Sequence, residues 1–213
     1  MQGSLTGECL AHNFIKPGGL KHKLMKYLER KISNWFFVIT QSDAMLNELK
    51  AMGASEDRIR NVKDGVDTDI FSPKNFNQDL AKRFEINQAL PRVLFMGLLE
   101  EYQGADLMIK AFGLVVKKIP QTQFIIIGFP NIDKYQKMSE DEGVKNARFL
   151  GRIKYEELPE YLSLSDIAIA PKIATTEGDG KIYNYMAMGM ATIAFDRSVS
   201  REILGDTGIF ADF

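Results

Sequence analysis

From Arg92 onward, short apolar runs alternate with segments of helical periodicity, and few architectures accept that rhythm. Arg92-Val-Leu-Phe-Met96 reads as a strand and Gly97 to Gly104 as a loop. Met108, Phe112, Val115, Val116 and Ile119 then recur along one helix face. Gln123-Phe-Ile-Ile-Ile127 is the next strand, followed by Gly128-Phe-Pro130 and a polar helix through Glu142. Ala147 to Leu150 reads as a strand and Glu156 to Leu164 as a helix. Two further apolar runs, Asp166–Pro171 and Met190–Phe195, suit parallel strands covered on both faces. Ser198 or Ser200 caps a short helix to Leu204, and Gly208–Ala211 is a last strand. This alternation predicts an α/β fold, a Rossmann-like parallel sheet with helices on both faces.

The chain before Arg92 is less regular. Residues 1–19 read as a loop with at most a short turn, without a strand before them. Leu20, Leu24, Leu28 and Ile32 recur at helical spacing, with Met25 and Trp35 on the same side. Lys21, Lys23, Lys26, Arg30 and Lys31 occupy the other face against one acid, Glu29. A basic amphipathic helix of this kind can lie on anionic lipid. The commoner outcome, and the expectation here, is a solvated face over a core stripe. Trp35–Thr40 reads as a strand, Ser42 as the N-cap of a helix ending near Gly53, and Arg58–Val62 as a short strand. Thr68–Pro91 reads as a linker with one short helix around Leu80–Phe84.

Composition removes several classes of function. A formal charge of −1 over 213 residues argues against general nucleic-acid binding. One cysteine, Cys9, and two histidines make neither an internal disulfide nor a metal-ligand cluster. His12 and His22 have no motif around them. A reducing, cytoplasmic setting follows from that cysteine usage. No apolar run is long enough to cross a bilayer, so peripheral membrane contact through residues 20–35 is the form of membrane association left open.

In an open parallel sheet, ligands bind beyond the carboxyl ends of the strands. The loops there are Gly97–Gly104, Gly128–Asn131, Gly151–Lys154 and Ala174–Lys181. None carries a Gly-x-Gly-x-x-Gly run, a P-loop or a Gly-x-Ser-x-Gly elbow. No Asp-x-Asp pair stands in them, so no metal requirement is visible. The stretch Ala170–Asp196 is the most suggestive. Thr175-Thr-Glu-Gly-Asp-Gly180 leads into a helix over Lys181–Met188, with Gly189 placed to end it. A helix starting there offers free N–H groups and a positive dipole end to an anion. Lys181 adds a full charge where the dipole alone favours an acid. It is either a phosphate ligand or a lysine on a solvated helix start.

The chain resembles the family-four retaining glycosyltransferases in several places. Asn61-Val-Lys-Asp-Gly-Val-Asp-Thr-Asp-Ile-Phe-Ser-Pro73 is similar to the family's interdomain junction. Val93–Phe112 resembles the first strand, loop and helix of its C-terminal domain. Phe149-Leu-Gly-Arg-Ile153 with Glu157-Leu-Pro159 resembles its base-binding loop. Ser165–Pro171, Tyr185-Met-Ala-Met-Gly189 and Ala194-Phe-Asp196 resemble its donor-sugar segment.

The resemblance implies a GT-B fold, two Rossmann-like domains with the active site in the cleft between them. Residues 1–60 would be the tail of the acceptor-side domain. Residues 61–213 would be the nucleotide-sugar domain, truncated at its C-terminus. The chain is thus expected to be a fragment with little or no turnover of its own. The implied activity is hexosyl transfer from a nucleoside diphosphate sugar to a glycan or lipid-linked acceptor, without a further cofactor. The alternatives are a non-catalytic nucleotide-sugar-binding module and a sugar-nucleotide epimerase of the same fold.

Site residues follow from the same resemblance. The family spaces two glutamates across the donor loop and helix; here the second position is Asn184 and the first Thr176, one short of Glu177. Glu177 is the catalytic candidate within the chain, since the family's other catalytic groups fall before Met1. Gly178, Asp179, Gly180 and Lys181 are expected around the sugar and diphosphate, with Gly97, Leu98 and Gln103 from the first loop. Gly151, Arg152 and Ile153 are expected at the base. The family's arginine and lysine that hold the diphosphate are replaced here by Leu98 and Gln103. Lys181 is the expected substitute, with Lys172 and Arg152 as weaker ones. Tyr102 could stack on the base or simply pack, and Asp67 is expected to brace the junction. Asp196 and Arg201 are expected to pair as structure.

Overall fold

The computed structural model describes residues 4–11, 14–174 and 177–212. His12 and Thr176 lie outside them. In chain order the elements are α1 (Leu5–Ala11), α2 (Leu20–Trp35), β1 (Val38–Thr40), α3 (Asp43–Ala51), β2 (Ile59–Asn61) and α4 (Gln78–Arg83). Then come β3 (Arg92–Leu98), α5 (Ala105–Lys118), β4 (Gln123–Phe129), α6 (Ile132–Asp141), β5 (Ala147–Gly151) and α7 (Leu158–Leu162). The last are β6 (Ile167–Ala170), α8 (Gly180–Ala187), β7 (Ala191–Phe195), α9 (Ser198–Leu204) and β8 (Ile209–Ala211).

The chain divides into two compact units. One comprises Val66–Ile173, Lys181–Phe195 and Thr207–Phe213. Its six strands run parallel in the order β5-β4-β3-β6-β7-β8. This is the doubly wound order, in which the chain starts at the centre, builds outward to one edge, then crosses to build the other. The uniformly apolar strands are explained by their place in that order. Leu94 and Phe95 of β3, and Phe124, Ile125 and Ile126 of β4, are all fully buried. Side chains alternate between faces along a strand, so burial of consecutive residues means that both faces are covered. On one face Phe112 of α5 stacks on Phe124 with ring centroids 3.9 Å apart, amid Phe95, Met108, Ile109 and Tyr135.

The other unit comprises Met1–Gly65, Ala174–Gly180 and Asp196–Asp206. Its sheet is a single parallel pair, β1 with β2, in register Val38↔Ile59 to Thr40↔Asn61. Val38, Met45, Leu49, Ala54 and Ile59 form a small core. As expected, Ser42 caps α3, its hydroxyl accepting from the Met45 N–H at 3.1 Å. Glu202 of α9 reaches the start of α3, accepting from the Asp43 N–H at 2.8 Å and pairing with Lys63 at 3.1 Å.

Three expectations fail in this unit. Residues 5–11 form a helix, not a loop. The strand expected from Trp35 is shorter: α2 extends through Trp35, closed by the Phe36 N–H to Ile32 carbonyl bond, and β2 offers only three residues to pair. The apolar stripe of α2 is also not in the core. Leu20, Leu24, Leu28, Ile32 and Trp35 are exposed, and the helix is buried along Glu29 and Ser33. The cause is Glu29. Its carboxylate accepts from the Leu5 N–H at 2.6 Å, the Thr6 hydroxyl at 2.6 Å and the Ser4 hydroxyl at 3.1 Å. A buried carboxylate on the free N–H groups of a helix start satisfies both charge and donors, and this turns α2's lone acid inward.

Candidate active site

The strand order reverses between β3 and β6, the place at which an open parallel sheet of this order leaves a crevice beyond its strand ends. Residues Arg92–Leu98 and Ile167–Ala170 bring two loops to it, one from Gly97 and one from Pro171. The loops are held close. A Cβ on Gly104, whose φ is +77°, would lie 1.8 Å from the Pro171 carbonyl oxygen. The Ile173 N–H bonds the Tyr102 carbonyl at 3.1 Å. Only glycine permits that approach.

Residues Lys181 and Tyr185 of α8 pack at the carboxyl end of β3. Near the helix start, the Lys181 ammonium lies at the end of β3, 3.1 Å from where a Gly97 Cβ would stand. One turn later the Tyr185 hydroxyl accepts from the Met96 N–H at 2.8 Å. Fully buried Tyr185 lies beside both β3 and β6.

Lys181 thus places its ammonium at the carboxyl end of β3. Its Nζ donates to Gln103 Oε1 at 2.8 Å and sits 5.2 Å from the centroid of the Phe95 ring. Gln103 is itself buried. The ammonium thus reaches Gln103, one of the two positions, Leu98 and Gln103, at which the resemblance expects a cation, and it lies beside Gly97. Lysine on α8 arrives by a different path in the chain, and the bare α-carbon of Gly97 leaves room for it. Asn184, three residues on, lies half-buried on the same helix side. Leu98 is partly exposed at the strand end. Lys172 is buried.

The loop after β5 lies at the same end of the sheet. Gly151 has a φ of +73°, and the exposed Arg152 guanidinium lies 4.9 Å from the Phe129 ring centroid at the end of β4. Half-buried Ile153 follows. Asp67 accepts from the Asp69 N–H at 2.9 Å, bracing its own turn. Asp196 and Arg201 form a two-point ion pair, 2.5 and 2.6 Å.

Glu177, Gly178, Asp179 and Gly180 belong to the smaller unit and are described within it. Glu177 and Gly178 are half-buried, and Gly178 packs beside Gln41 and Asp64. Asp179 is buried and its carboxylate faces Arg197 at 3.3 Å. Burial lowers the Arg197 pKa below the usual guanidinium range, opposed by the charges of Asp179 and Glu177. Arg197 has no place among the expected residues. Its one signal is an arginine two residues beyond the end of an apolar strand.

The comparisons with known proteins agree with this architecture. A GDP-mannose-dependent phosphatidylinositol monomannoside mannosyltransferase of Corynebacterium glutamicum is 27% identical over 154 residues, covering 71% of this chain and 40% of the relative. A D-inositol 3-phosphate glycosyltransferase of the same species is 29% identical over 150 residues, 66% of this chain and 36% of the relative. The chain thus spans less than half the length of these relatives. Among solved structures, Anabaena HepE in complex with UDP superposes with a TM-score of 0.77 at 16% identity, over 93% of this chain and 56% of that one. The family described as glycosyl transferases group 1 matches residues 76–212, well over half of the sequence, and the chain belongs to that family.

Proposed function

We propose that this chain is the donor-binding part of a retaining glycosyltransferase, which moves a hexose from a nucleoside diphosphate sugar to a glycan or lipid-linked acceptor. The observation that carries the reading is the position of Lys181. Transfer leaves a diphosphate whose negative charge grows as the glycosidic bond breaks, and preorganised cations and N–H donors lower that barrier. The Lys181 ammonium and the first N–H groups of α8 supply both kinds of donor at the head of one helix. Glu177 would accept from sugar hydroxyls, and Asn184 can hydrogen-bond a ribose hydroxyl without bringing charge. Gly151, Arg152 and Ile153 would flank the base.

Calorimetry with UDP, GDP and ADP tests the site and selects the base. Lys181→Ala should weaken binding by about 1.5–3 kcal/mol, the worth of a charge-assisted hydrogen bond. Unchanged affinity rejects the role.

A second reading has its own observation. Leu98 and Gln103 hold the positions at which the resemblance expects cations, and this favours a module that binds nucleotide sugar without transferring it. Donor hydrolysis or transfer by the protein joined to an acceptor-side domain separates the two. The outward apolar stripe of α2, beside Lys21, Lys23, Lys26 and Lys31, supports contact with an anionic membrane surface of the cytoplasm. Cosedimentation with phosphatidylserine vesicles, lost in Leu24→Ser/Leu28→Ser, is the expected result; no sedimentation removes that partner.

A further inference from the structure

The geometry points to Arg197 as a positioning residue of the donor site, one that fixes Ala174 and Asp179, the residues bracketing Glu177. The inference rests on the donor-site reading above.

Arg197 follows β7 and Asp196, in the extended conformation that precedes α9. Its side chain and that of Asp179 are each only 2% exposed. One guanidinium nitrogen donates to the Ala174 carbonyl and the other faces the Asp179 carboxylate at 3.3 Å. The two partners are five residues apart, so one planar fork pins the chain on both sides of Glu177. Asp179 directly precedes Gly180, the first residue of α8.

Stability alone does not account for the pair. A buried ion pair is often no better than well-packed apolar residues, because both charges lose their hydration. Among the described residues the buried Arg197 Nε has no hydrogen-bond partner, a further desolvation penalty. The pair does supply two bonds at a fixed separation and angle. Lysine, a single point charge on a flexible stem, cannot reproduce that fork.

The test uses the whole chain and three variants: Arg197→Lys, Arg197→Met, and the apolar pair Asp179→Leu/Arg197→Met. Without ligand, amide hydrogen exchange at Glu177–Lys181 should quicken about tenfold or more in Arg197→Lys, roughly the loss of one charge-assisted bond. Exchange across Val93–Phe95 should not change. Unchanged exchange at Glu177–Lys181 overturns the proposal whether or not nucleotide binds. Arg197→Met takes the guanidinium away from the buried Asp179 carboxylate and is the variant most exposed to misfolding; the apolar pair removes both charges. That pair should recover the wild-type melting temperature, while its affinity for the UDP-, GDP- or ADP-sugar that the wild type binds stays about tenfold weaker. Recovery of both stability and affinity assigns Arg197 a merely structural role and overturns the proposal. A wild-type chain that binds none of the three nucleotide sugars refutes the donor-site reading itself, and the exchange result still decides whether Arg197 holds the loop.

Discussion

The two units bury their apolar residues in opposite manners. In the six-stranded unit, Phe95, Phe124, Ile125 and Ile126 are fully enclosed. In the smaller unit the described residues form a sheet of one three-residue pair, and Leu20 is 85% exposed, Phe37 79% and Trp35 69%. Amphipathic periodicity is equally clear in α2 and α5. Periodicity locates an apolar face; it does not say what covers that face. Covering is decided by the neighbours, and α5 has a complete sheet beneath it while α2 is held through a carboxylate.

Paired substitutions make this contrast measurable. Phe124→Ala should lower the unfolding free energy by about 3–5 kcal/mol, as expected for truncating an enclosed aromatic ring. Leu28→Ser on α2 should change it by no more than about 0.5 kcal/mol, as for an ordinary exposed site. Urea titration of both variants gives the comparison directly. Equal losses would mean that the α2 stripe is covered in solution, and the contrast would collapse.

Glu29→Ala should cost about 2–3 kcal/mol, since it leaves the Leu5 N–H and two hydroxyls without their charged acceptor. Faster hydrogen exchange confined to α1 would show that the carboxylate, not apolar packing, ties α2 to its neighbour. Wild-type exchange in α1 would contradict this account of the helix orientation.

The smallest effect concerns the rim of the larger unit. Glu160 is held below the ordinary carboxylate range by hydrogen bonds from Lys74 at 2.9 Å and from Asn77 at 2.9 Å. A carboxylate whose folded pKa is depressed contributes stability above its unfolded pKa and loses it as pH falls through the folded value. Glu160→Gln should therefore flatten the acid limb of the stability profile below about pH 4.5, the ordinary glutamate value. The pair is largely exposed and screened, so a few tenths of a kcal/mol are expected. An unchanged acid limb would remove Glu160 from the linkage.

Legibility in the sequence follows the same division. From Arg92 onward each element is local: an apolar run flanked by glycine or proline and followed by a helix-spaced stripe. β3, α5, β4, β6, α8 and β7 therefore stand within a few residues of where the sequence puts them. The place of Lys181 in the first turn of α8 and that of Gly97 near the end of β3 were legible for the same local reason. What was not legible depends on long-range partners. Glu29 turns inward for a helix start more than twenty residues earlier in the chain, and Arg197 for a carboxylate 18 residues earlier. The boundary at Trp35–Phe37 failed because an aromatic run reads equally as strand or helix end, and only the length of β2 decides it. Nothing local in the sequence gives the Tyr185 hydroxyl a role; it acquires one only beside Met96 of β3 and Ile169 of β6.

The near-contact of Gly104 with the Pro171 carbonyl has a consequence for selectivity. With two backbones touching, the spacing of the crevice walls is set like a fixed gauge, and no rotamer can widen it. On the donor-site reading proposed above, donors of different size would then be sorted by the side chains of Leu98, Arg152 and Asn184, and a redesign aimed at a bulkier donor would trim those and leave the backbone seam intact.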